Sequence, residues 1–322
     1  MSKKPPLIIL SGPTAVGKTA LSVEFALKND LEIVSADSAQ VYKGMNIGSA
    51  KITEDEKKGV IHHLIDVCDI SEDYSAFRFK EMAEDAISKI YSKGKIPLIV
   101  GGTGFYIQAL LKGVQFEEGG PDDDFRKEMG KLASENGPGF LHQKLRDVDP
   151  ESADSIPPEN VKRVIRALEF NHLSGGRISE HNKTESLREP VYNFAYFVLT
   201  DDRDVIYDRI NKRVDIMISE GLENEVRNLL AGGADPESVS MQAIGYKEMV
   251  PYIKGECSLD EAIYQIKLRT RHFAKRQITW YKRESDVIMI NRNDFSCDTG
   301  KMCDHMRKEC IKRGIFNEQT LS

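Results

Sequence analysis

The segment GPTAVGKT, Gly12–Thr19, has the spacing Gly-x-x-x-x-Gly-Lys-Thr of a phosphate-binding loop. In such a loop successive backbone N–H groups surround an anion, the lysine adds a positive charge and the threonine can ligate Mg²⁺. A helix that begins near Gly17 would direct its positive end at the same anion. The spacing leaves open whether the anion belongs to a nucleotide or to another diphosphate. We therefore expect a phosphate site at Gly12, Pro13, Thr14, Ala15, Val16, Gly17, Lys18 and Thr19, with Thr19 as the metal ligand.

The segments around this loop predict a sheet that positions it. Leu7–Leu10 is a short apolar run typical of a buried strand, and Leu31–Tyr42 is a second strand that ends in a polar turn. Ile96–Leu111 predicts a strand, a glycine turn and a helix. Strands that alternate with helices indicate an α/β fold, here a P-loop NTPase-like parallel sheet flanked by helices. Ligands bind at the carboxyl ends of such strands, so we expect the loop, Asp37 and Thr103 to converge on one crevice.

A change in composition near residues 117–129 predicts a second part of the chain. Apolar strands stop there, and charged sequence with helical spacing continues to about residue 185. We interpret 118–185 as a helical insertion domain in a core formed by 1–117 and 186–322. The remaining predicted elements are helices at Ser75–Lys95, Pro158–Gly175 and Thr299–Arg313 and strands at Tyr192–Thr200 and Asp286–Ile290.

Composition restricts the class of protein. A net charge of -6 argues against binding nucleic acid over the whole surface, although it allows a local basic patch. No apolar run is long enough to cross a bilayer, and the start MSKKPP leaves no room for a signal peptide before the first strand, so we expect a cytoplasmic protein. Five irregularly spaced cysteines indicate free thiols. Packing of a terminal helix explains Cys303, His305 and Cys310 better than a zinc site does.

Asp37 is the acid best placed to act at the crevice. Hydrolytic phosphate-loop enzymes need an acid at the end of another strand to organise Mg²⁺ and water, but the strand at Leu98–Val100 ends in glycine. One carboxylate at a central strand end therefore remains, which could either bind a metal or accept a proton. A small-molecule kinase stays open as an alternative, with Arg163 and Arg166 as lid arginines over a phosphoryl group.

A basic helix is predicted near the C-terminus. KLRTRHFAKRQITWYKR, Lys267–Arg283, carries seven Lys or Arg in 17 residues and no acid, with aromatic residues interleaved. On a helix, Lys267, Arg271 and Lys275 would lie one turn apart on one face. Such a face can follow a polyanion, and a solvated basic face is the alternative.

Seven motifs together closely resemble the tRNA dimethylallyltransferase family, also called tRNA isopentenyltransferases, over about Leu7 to Tyr281. The resemblance implies transfer of a dimethylallyl group from dimethylallyl diphosphate to N6 of the adenosine immediately 3′ of the anticodon, with Mg²⁺. The loop would then hold an isoprenoid diphosphate. The motifs are GPTAVGKT, SADSAQVYKGMNIGSAK, HHLID, GGTGFYIQALL, KRVIRALE, MQAIGYKE and TRHFAKRQITWY.

The resemblance also implies roles for particular residues. Asp37 would be the general base, Thr103 would contact the leaving group, Lys18 would assist catalysis, and Arg213, with Arg209, would contact the diphosphate. His62 and His63 of HHLID are interpreted as structural. The implied tRNA contacts are Asp37, Ser38, Ala39, Gln40, Thr103, Arg126, Lys162, Arg163, Arg166, Gln242, Gly245, Tyr246, Arg271, Lys275, Arg276, Gln277 and Trp280.

The implied partners are the anticodon stem-loop of tRNA and dimethylallyl diphosphate, with no membrane, for a chain that acts as a monomer. Lys162 stands where some members of the family have glutamine. The zinc finger of eukaryotic members resembles nothing in this sequence, so the pattern is similar to the bacterial type. An adenylate isopentenyltransferase is the nearest alternative, because it would use the same loop and base on a free nucleotide. Such an enzyme would have little use for the insertion arginines or the basic helix.

Overall fold

A computed structural model describes residues 4–116 and 122–317. Its sheet has six strands in the order β3-β2-β4-β1-β5-β6, and every neighbouring pair is parallel. The parallel α/β sheet predicted from the sequence is thereby confirmed. The strands are β1 Pro6–Ser11, β2 Glu32–Ser35, β3 His62–His63, β4 Pro97–Gly101, β5 Asn193–Thr200 and β6 Val287–Asn291.

Helices connect and cover these strands, and a 3-10 turn at Arg292–Phe295 follows β6. No helix of the described residues is long and apolar enough to span a bilayer. The helices are α1 Lys18–Asn29, α2 Glu54–Lys57, α3 Ala76–Ser92, α4 Gly104–Leu111, α5 Asp123–Asn136, α6 Pro138–Val148, α7 Pro150–Ser155, α8 Val161–Ser174, α9 Ile178–Ser186, α10 Arg203–Ser219, α11 Leu222–Ala231, α12 Tyr246–Ile253, α13 Leu259–Tyr281 and α14 Thr299–Lys312.

Alternation along the strands gives the sheet two apolar faces. In β1, Leu7 and Ile9 belong to one buried cluster, whereas Ile8 and Leu10 belong to another. The first cluster contains residues of α3, α4 and α10–α13, and the second contains residues of α1 and α14 with a few from α10 and α13. Because successive side chains of a strand point to opposite faces, a sheet covered on both sides needs such continuous apolar runs. The run at Leu7–Leu10 is therefore the sequence signal for a central strand.

Local signals fix several helix ends. The Ser75 side chain accepts a hydrogen bond from the Arg78 N–H at the start of α3. Ser258 and Glu261 form a capping box at the start of α13. Cys303 and Cys310 are buried on α14, which agrees with the packing interpretation of these thiols. The strand β3 has only two residues and was not predicted, because so short a run shows no periodicity.

The chain forms two compact units, one of Met1–Leu111 with Val191–Ser322 and the other of Lys112–Pro190. The first contains the whole sheet. The second contains α5–α9 around its own small core, which includes Met129, Leu141 and Val164. The boundary expected at residues 117 and 118 lies outside the described residues, as do Met1–Lys3 at the start of the chain. Where the first unit is interrupted, the Val191 N–H donates to the Leu111 carbonyl at 3.0 Å.

Candidate active site

A cavity of about 700 Å³ lies at the carboxyl ends of β1, β2 and β4. All of its walls belong to the first compact unit. It brings together sixteen of the residues selected from the sequence, so the expected crevice exists. These are Thr14, Ala15, Gly17, Lys18, Thr19, Asp37, Ser38, Ala39, Gln40, Thr103, Arg209, Arg213, Gln242, Gly245, Arg276 and Gln277.

The phosphate loop leaves β1 and leads into α1. Gly17 has a φ of 100°, and a Cβ at this position would lie 2.6 Å from the Arg292 guanidinium. Ala15 also has a positive φ, of 61°. Alternation of such conformations turns backbone N–H groups toward a common concavity, which is a binding geometry for anions. Gly12, Pro13 and Val16 are buried and form the base of this turn.

Lys18 folds back over the loop that it follows. Its Nζ donates to the carbonyls of Gly12 and Pro13, both at 2.9 Å. Burial lowers the pKa of Lys18 to about 8, although the nearby Asp37 carboxylate acts in the opposite direction. The ammonium is thus held at the loop in a poorly solvated environment, where an anion would interact with it strongly.

This pKa predicts a pH dependence of anion binding. An anion on the loop raises the pKa of Lys18, because it stabilises the charged form. Below pH 8 the ammonium is protonated with or without ligand, whereas above pH 8 binding must first restore the proton. We expect the dissociation constant for inorganic diphosphate to rise up to about tenfold per pH unit above that point.

The matched control for this titration is Lys18→Arg, because an arginine stays charged over the whole range. The ratio of the two dissociation constants cancels the ionisation of diphosphate itself. Calorimetric titration between about pH 7 and pH 10 measures both constants. A ratio that does not change with pH would show that Lys18 does not titrate at the anion site.

Asp37 and Thr103 are held side by side by the close approach of β2 and β4. Asp37 Oδ1 accepts from the N–H groups of Ala39 at 2.8 Å and Gln40 at 3.2 Å, which fixes the carboxylate in a turn. No hydrogen bond within residues 4–116 and 122–317 engages Oδ2. The Thr103 N–H donates to the Ala36 carbonyl at 3.4 Å. The side chains of Asp37 and Thr103 both line the cavity, so Oδ2 is available to a ligand there.

Gln277 on α13 ties the phosphate loop to the turn after β4. Its Oε1 accepts from the Thr14 N–H at 2.9 Å, and its Nε2 donates to the Gly102 carbonyl at 2.8 Å. The Tyr281 hydroxyl lies 3.1 Å from the same carbonyl. The Trp280 indole packs so closely on Gly104 that a Cβ there would lie 2.3 Å from Nε1. Gln277 is only 6% exposed, so its amide positions the two loops.

Arginines line the same cavity as the loop. Arg209 and Arg213 project from α10, and Arg276 projects from α13. Burial lowers the pKa of the Arg213 guanidinium, which the Asp37 carboxylate partly offsets. Together with Lys18 these side chains make part of the cavity wall cationic.

A second acid, Asp201, lies at a central strand end, so the prediction of a single carboxylate there, Asp37, was wrong. Asp201 directly follows β5, next to β1 in the sheet. Its carboxylate lies 2.8 Å from Arg209 Nη1 and 3.3 Å from Arg292 Nε, and its side chain is 1% exposed. Arg292 in turn donates to the Val16 carbonyl at 3.3 Å. Asp201 therefore holds two arginines near the loop, a role that the sequence pattern did not indicate.

Part of the cavity wall is apolar, and sequence reasoning missed it. Val214 and Met217 of α10 and Ile266 and Phe273 of α13 contribute to it. The helix α10 therefore supplies both cationic and apolar side chains to the same cavity. Recurrence of apolar residues at helical spacing in α10 was the available signal.

Of three predicted contacts near α12, Gln242 and Gly245 line the cavity and Tyr246 lies in the core. The Gln242 amide donates to the Pro236 carbonyl at 2.9 Å. The Gly245 N–H donates to Glu248 at 2.7 Å and has a φ of 101°. Tyr246 is fully buried, so its side chain is unavailable to a ligand in this structure.

Part of the basic helix α13 is engaged by other helices. Lys267 Nζ lies 2.5 Å from Asp215, Arg269 Nε lies 3.3 Å from Glu248, and Arg271 Nη1 donates to Asn211 at 2.7 Å. Lys275 and Arg276 are exposed. Five of the seven predicted cations lie on α13, and three of these five are engaged, which leaves Lys275 and Arg276 as the exposed cations of the helix without such a contact to another helix within the described residues.

The second compact unit carries four of the selected cations. Glu169 is fully buried, and its carboxylate accepts from Arg126 Nε at 2.7 Å and from Arg166 Nη1 at 2.8 Å. Burial alone would raise the pKa of Glu169, but these hydrogen bonds lower it below its usual range. Both guanidiniums remain partly exposed, and Lys162 and Arg163 are exposed on α8. Two of these four cations are thus gathered around Glu169, and Asp122 at the start of α5 lies beside the same carboxylate.

Thr19 and Asp37 provide the oxygen atoms to which a divalent cation would bind. Both line the main cavity and also a smaller one of about 60 Å³ beside it. Hydroxyl and carboxylate oxygens suit Mg²⁺, which also keeps several waters and binds substrate phosphates. Within the described ranges no cluster of three or more His, Cys, Asp or Glu side chains could hold a metal without such a ligand.

A family model and a similar protein indicate the same family of transferases. The model of the family described as IPPT, IPP transferase, matches residues 40–284. The tRNA dimethylallyltransferase of Lachnoclostridium phytofermentans is 50% identical over 311 residues, which cover 95% of this chain and 99% of the relative.

Solved structures with the same fold are also similar. The full-length tRNA isopentenylpyrophosphate transferase of Bacillus halodurans is 39% identical with a TM-score of 0.71, and the match covers 97% of this chain and 98% of that one. A eukaryotic dimethylallyltransferase acting on tRNA is 28% identical with a TM-score of 0.76, over 91% of this chain and 75% of that one.

Proposed function

The chain belongs to the IPP transferase family, and we propose on that premise that it transfers a dimethylallyl group from dimethylallyl diphosphate to tRNA. The acceptor is N6 of the adenosine immediately 3′ of the anticodon. One observation carries the proposal: a single cavity joins a phosphate loop, a carboxylate with an available oxygen and apolar side chains. The diphosphate, the attacking amine and the prenyl chain need these three environments in one place.

The transfer step requires a base at the acceptor nitrogen. N6 attacks C1 of the dimethylallyl group, the N6–C1 bond forms and the C1–O bond to diphosphate breaks with its electron pair. An exocyclic amine is a poor nucleophile, so a carboxylate that accepts its proton lowers the barrier. Asp37 Oδ2 takes this proton, while Oδ1 stays bonded to the Ala39 N–H and keeps the carboxylate oriented. The products are the alkylated adenosine, diphosphate and a proton on Asp37.

The departing diphosphate gathers negative charge, which the loop N–H groups, Lys18 and the Thr103 hydroxyl stabilise. Arg209 and Arg213 of α10 add positive charge to the same cavity. Thr19 would hold Mg²⁺ together with the diphosphate, and the ion would neutralise part of the charge on the leaving group. Gln277 keeps the loop and Thr103 at a fixed separation, so this environment is organised before the substrate arrives.

The target base must leave the anticodon-loop stack to reach Asp37. Cationic surfaces of α13 and of the second unit bind the phosphates of the anticodon stem-loop. We place the chain in the cytoplasm, where its tRNA substrate is found, and infer that it acts as a monomer because one chain supplies the whole cavity.

The contribution of α13 to RNA binding can be measured through salt dependence. Lys275→Ala should lower the slope of log Kd for tRNA against log salt by roughly 0.7 to 0.9, because one phosphate contact is lost. Arg269→Ala is the matched control on the same helix, since Arg269 is paired with Glu248. An equal slope for wild type and Lys275→Ala would show that this face of α13 is a solvated basic surface that does not contact RNA phosphates.

The two alternative enzymes have weaker support. An adenylate isopentenyltransferase leaves the exposed cations of α8 and α13 without a use. A kinase would need an acid for Mg²⁺ and another for its nucleophile, and the second acid at a central strand end, Asp201, is already paired with Arg209 and Arg292.

Substrate choice separates the three activities. The full chain is incubated with labelled dimethylallyl diphosphate and Mg²⁺ plus either unmodified tRNA or AMP, and separately with ATP and a nucleoside. We expect label in tRNA alone, at the adenosine 3′ of the anticodon. Label in AMP, or phosphorylation of the nucleoside without alkylated RNA, would overturn the proposal.

A further inference from the structure

The turn Asn46–Gly48 binds a carboxylate from a distant helix. Glu225 of α11 accepts hydrogen bonds from the N–H groups of Asn46 at 2.9 Å, Ile47 at 2.8 Å and Gly48 at 3.1 Å. The Tyr246 hydroxyl donates to the same carboxylate at 2.7 Å. Three successive backbone donors around one anion form a strong anion-binding geometry, and the charge makes each hydrogen bond stronger than a neutral one.

Packing around this carboxylate is tight. A Cβ on Gly48 would lie 2.6 Å from the Tyr246 ring, so glycine is required for the ring to pass. Gly245 approaches the backbone of Gly48 on the same side. Glu225 therefore connects the segment 46–48 with the start of α12.

Both connected segments continue into walls of the active-site cavity. Gly48, Ser49 and Ala50 line it, and Ala243 and Gly245 line an adjoining part of its wall. Gln40, which follows Asp37 closely, donates from Nε2 to the Ala50 carbonyl at 3.1 Å. Glu225 itself does not line the cavity within the described residues. Its carboxylate thus acts on the cavity only through the backbone that it holds.

We propose that Glu225 is a positioning residue that sets the part of the cavity wall, formed by residues 48–50 and 243–245, against which the target adenosine is received. The inference rests on the proposed tRNA transfer. The phosphate loop is held separately, by Gln277 and Arg292, so the effect of Glu225 is specific to the nucleoside. Tyr246 and Gly48 lie in motifs shared with the family, and both donate hydrogen bonds to the Glu225 carboxylate.

The test is steady-state transfer and direct diphosphate binding by Glu225→Gln in the full chain. A glutamine has the same size, but its amide nitrogen cannot accept from the backbone donors. We expect kcat/KM for tRNA to fall about 10- to 100-fold, the range for a misplaced binding wall. The dissociation constant of inorganic diphosphate should stay within about twofold, because the loop is not touched. Tyr246→Phe removes one of the four donors and should cost about 2- to 10-fold.

Glu223→Gln is the matched control on α11, because Glu223 pairs with the exposed Arg227 and should leave both constants unchanged. Unaltered transfer by Glu225→Gln, or an equal loss of transfer and diphosphate binding, would overturn the positioning role. If Glu225→Gln does not fold, Tyr246→Phe provides the test. The loss of activity in this variant must appear in kcat/KM for tRNA and not in the dissociation constant of diphosphate. Absence of tRNA alkylation by the wild type would instead contradict the proposed function, so the two failures are distinguishable.

Discussion

Single-turnover transfer by Asp37→Asn is expected to be about 10²- to 10⁴-fold slower than transfer by the wild type, equivalent to roughly 3 to 5 kcal/mol of barrier. Asn can still accept from the N–H groups of Ala39 and Gln40 through its Oδ1, so the turn should be preserved. What changes is the other atom, where an amide replaces the oxygen that takes the N6 proton. The substitution therefore tests basicity with little change in shape.

The measurement uses saturating tRNA and dimethylallyl diphosphate across a series of Mg²⁺ concentrations. Affinity for both substrates should be retained. Partial rescue by added Mg²⁺, together with weaker diphosphate binding, would assign Asp37 to the metal instead. A variant that keeps more than about a tenth of the wild-type rate would show that the proton leaves by another route.

Lys18→Met should lower kcat/KM for dimethylallyl diphosphate about 10²- to 10³-fold. The ammonium contacts the diphosphate before and during departure, so binding of inorganic diphosphate should weaken as well. Methionine keeps much of the length of the side chain while removing the charge. Steady-state kinetics and calorimetry on the same preparation measure the two effects.

A control on the same helix is Lys28→Met, because Lys28 is exposed and pairs with Glu24 one turn away. It should leave transfer and diphosphate binding unchanged. Wild-type diphosphate affinity in Lys18→Met would mean that the ammonium stays on the Gly12 and Pro13 carbonyls after the ligand binds. Lys18 would then shape the loop without neutralising its ligand.

The sequence predicted the parts of the site that are encoded locally. The phosphate loop follows β1, Asp37 follows β2 and Thr103 follows β4, each within two residues of the strand end or at it. A parallel sheet brings such ends to one edge, so a strand pattern and a short motif are sufficient to place them together. Asp201 follows β5 by the same rule and could have been found from that position alone.

The contacts that hold those parts in place join residues far apart in the chain. Gln277 reaches Thr14 across 263 positions, and Glu225 reaches Ile47 across 178. Periodicity and spacing describe a single segment, so they carry no information on which distant side chain will complete it. Tyr246 is an example, because its motif indicated an RNA contact whereas its buried ring and hydroxyl serve Glu225.

The hydrogen bond between Leu111 and Val191 has a consequence for how the chain reaches its native state. The segment between them, Lys112–Pro190, is about 80 residues long and has its own core. Unfolded, it would be a long loop that must close before β5 can pair with β1, and the entropy of closure grows with loop length. Folded, it starts and ends at nearly the same point and connects α4 to β5 as a tight turn would. Early folding of this segment would therefore lower the effective contact order of the sheet and speed its assembly.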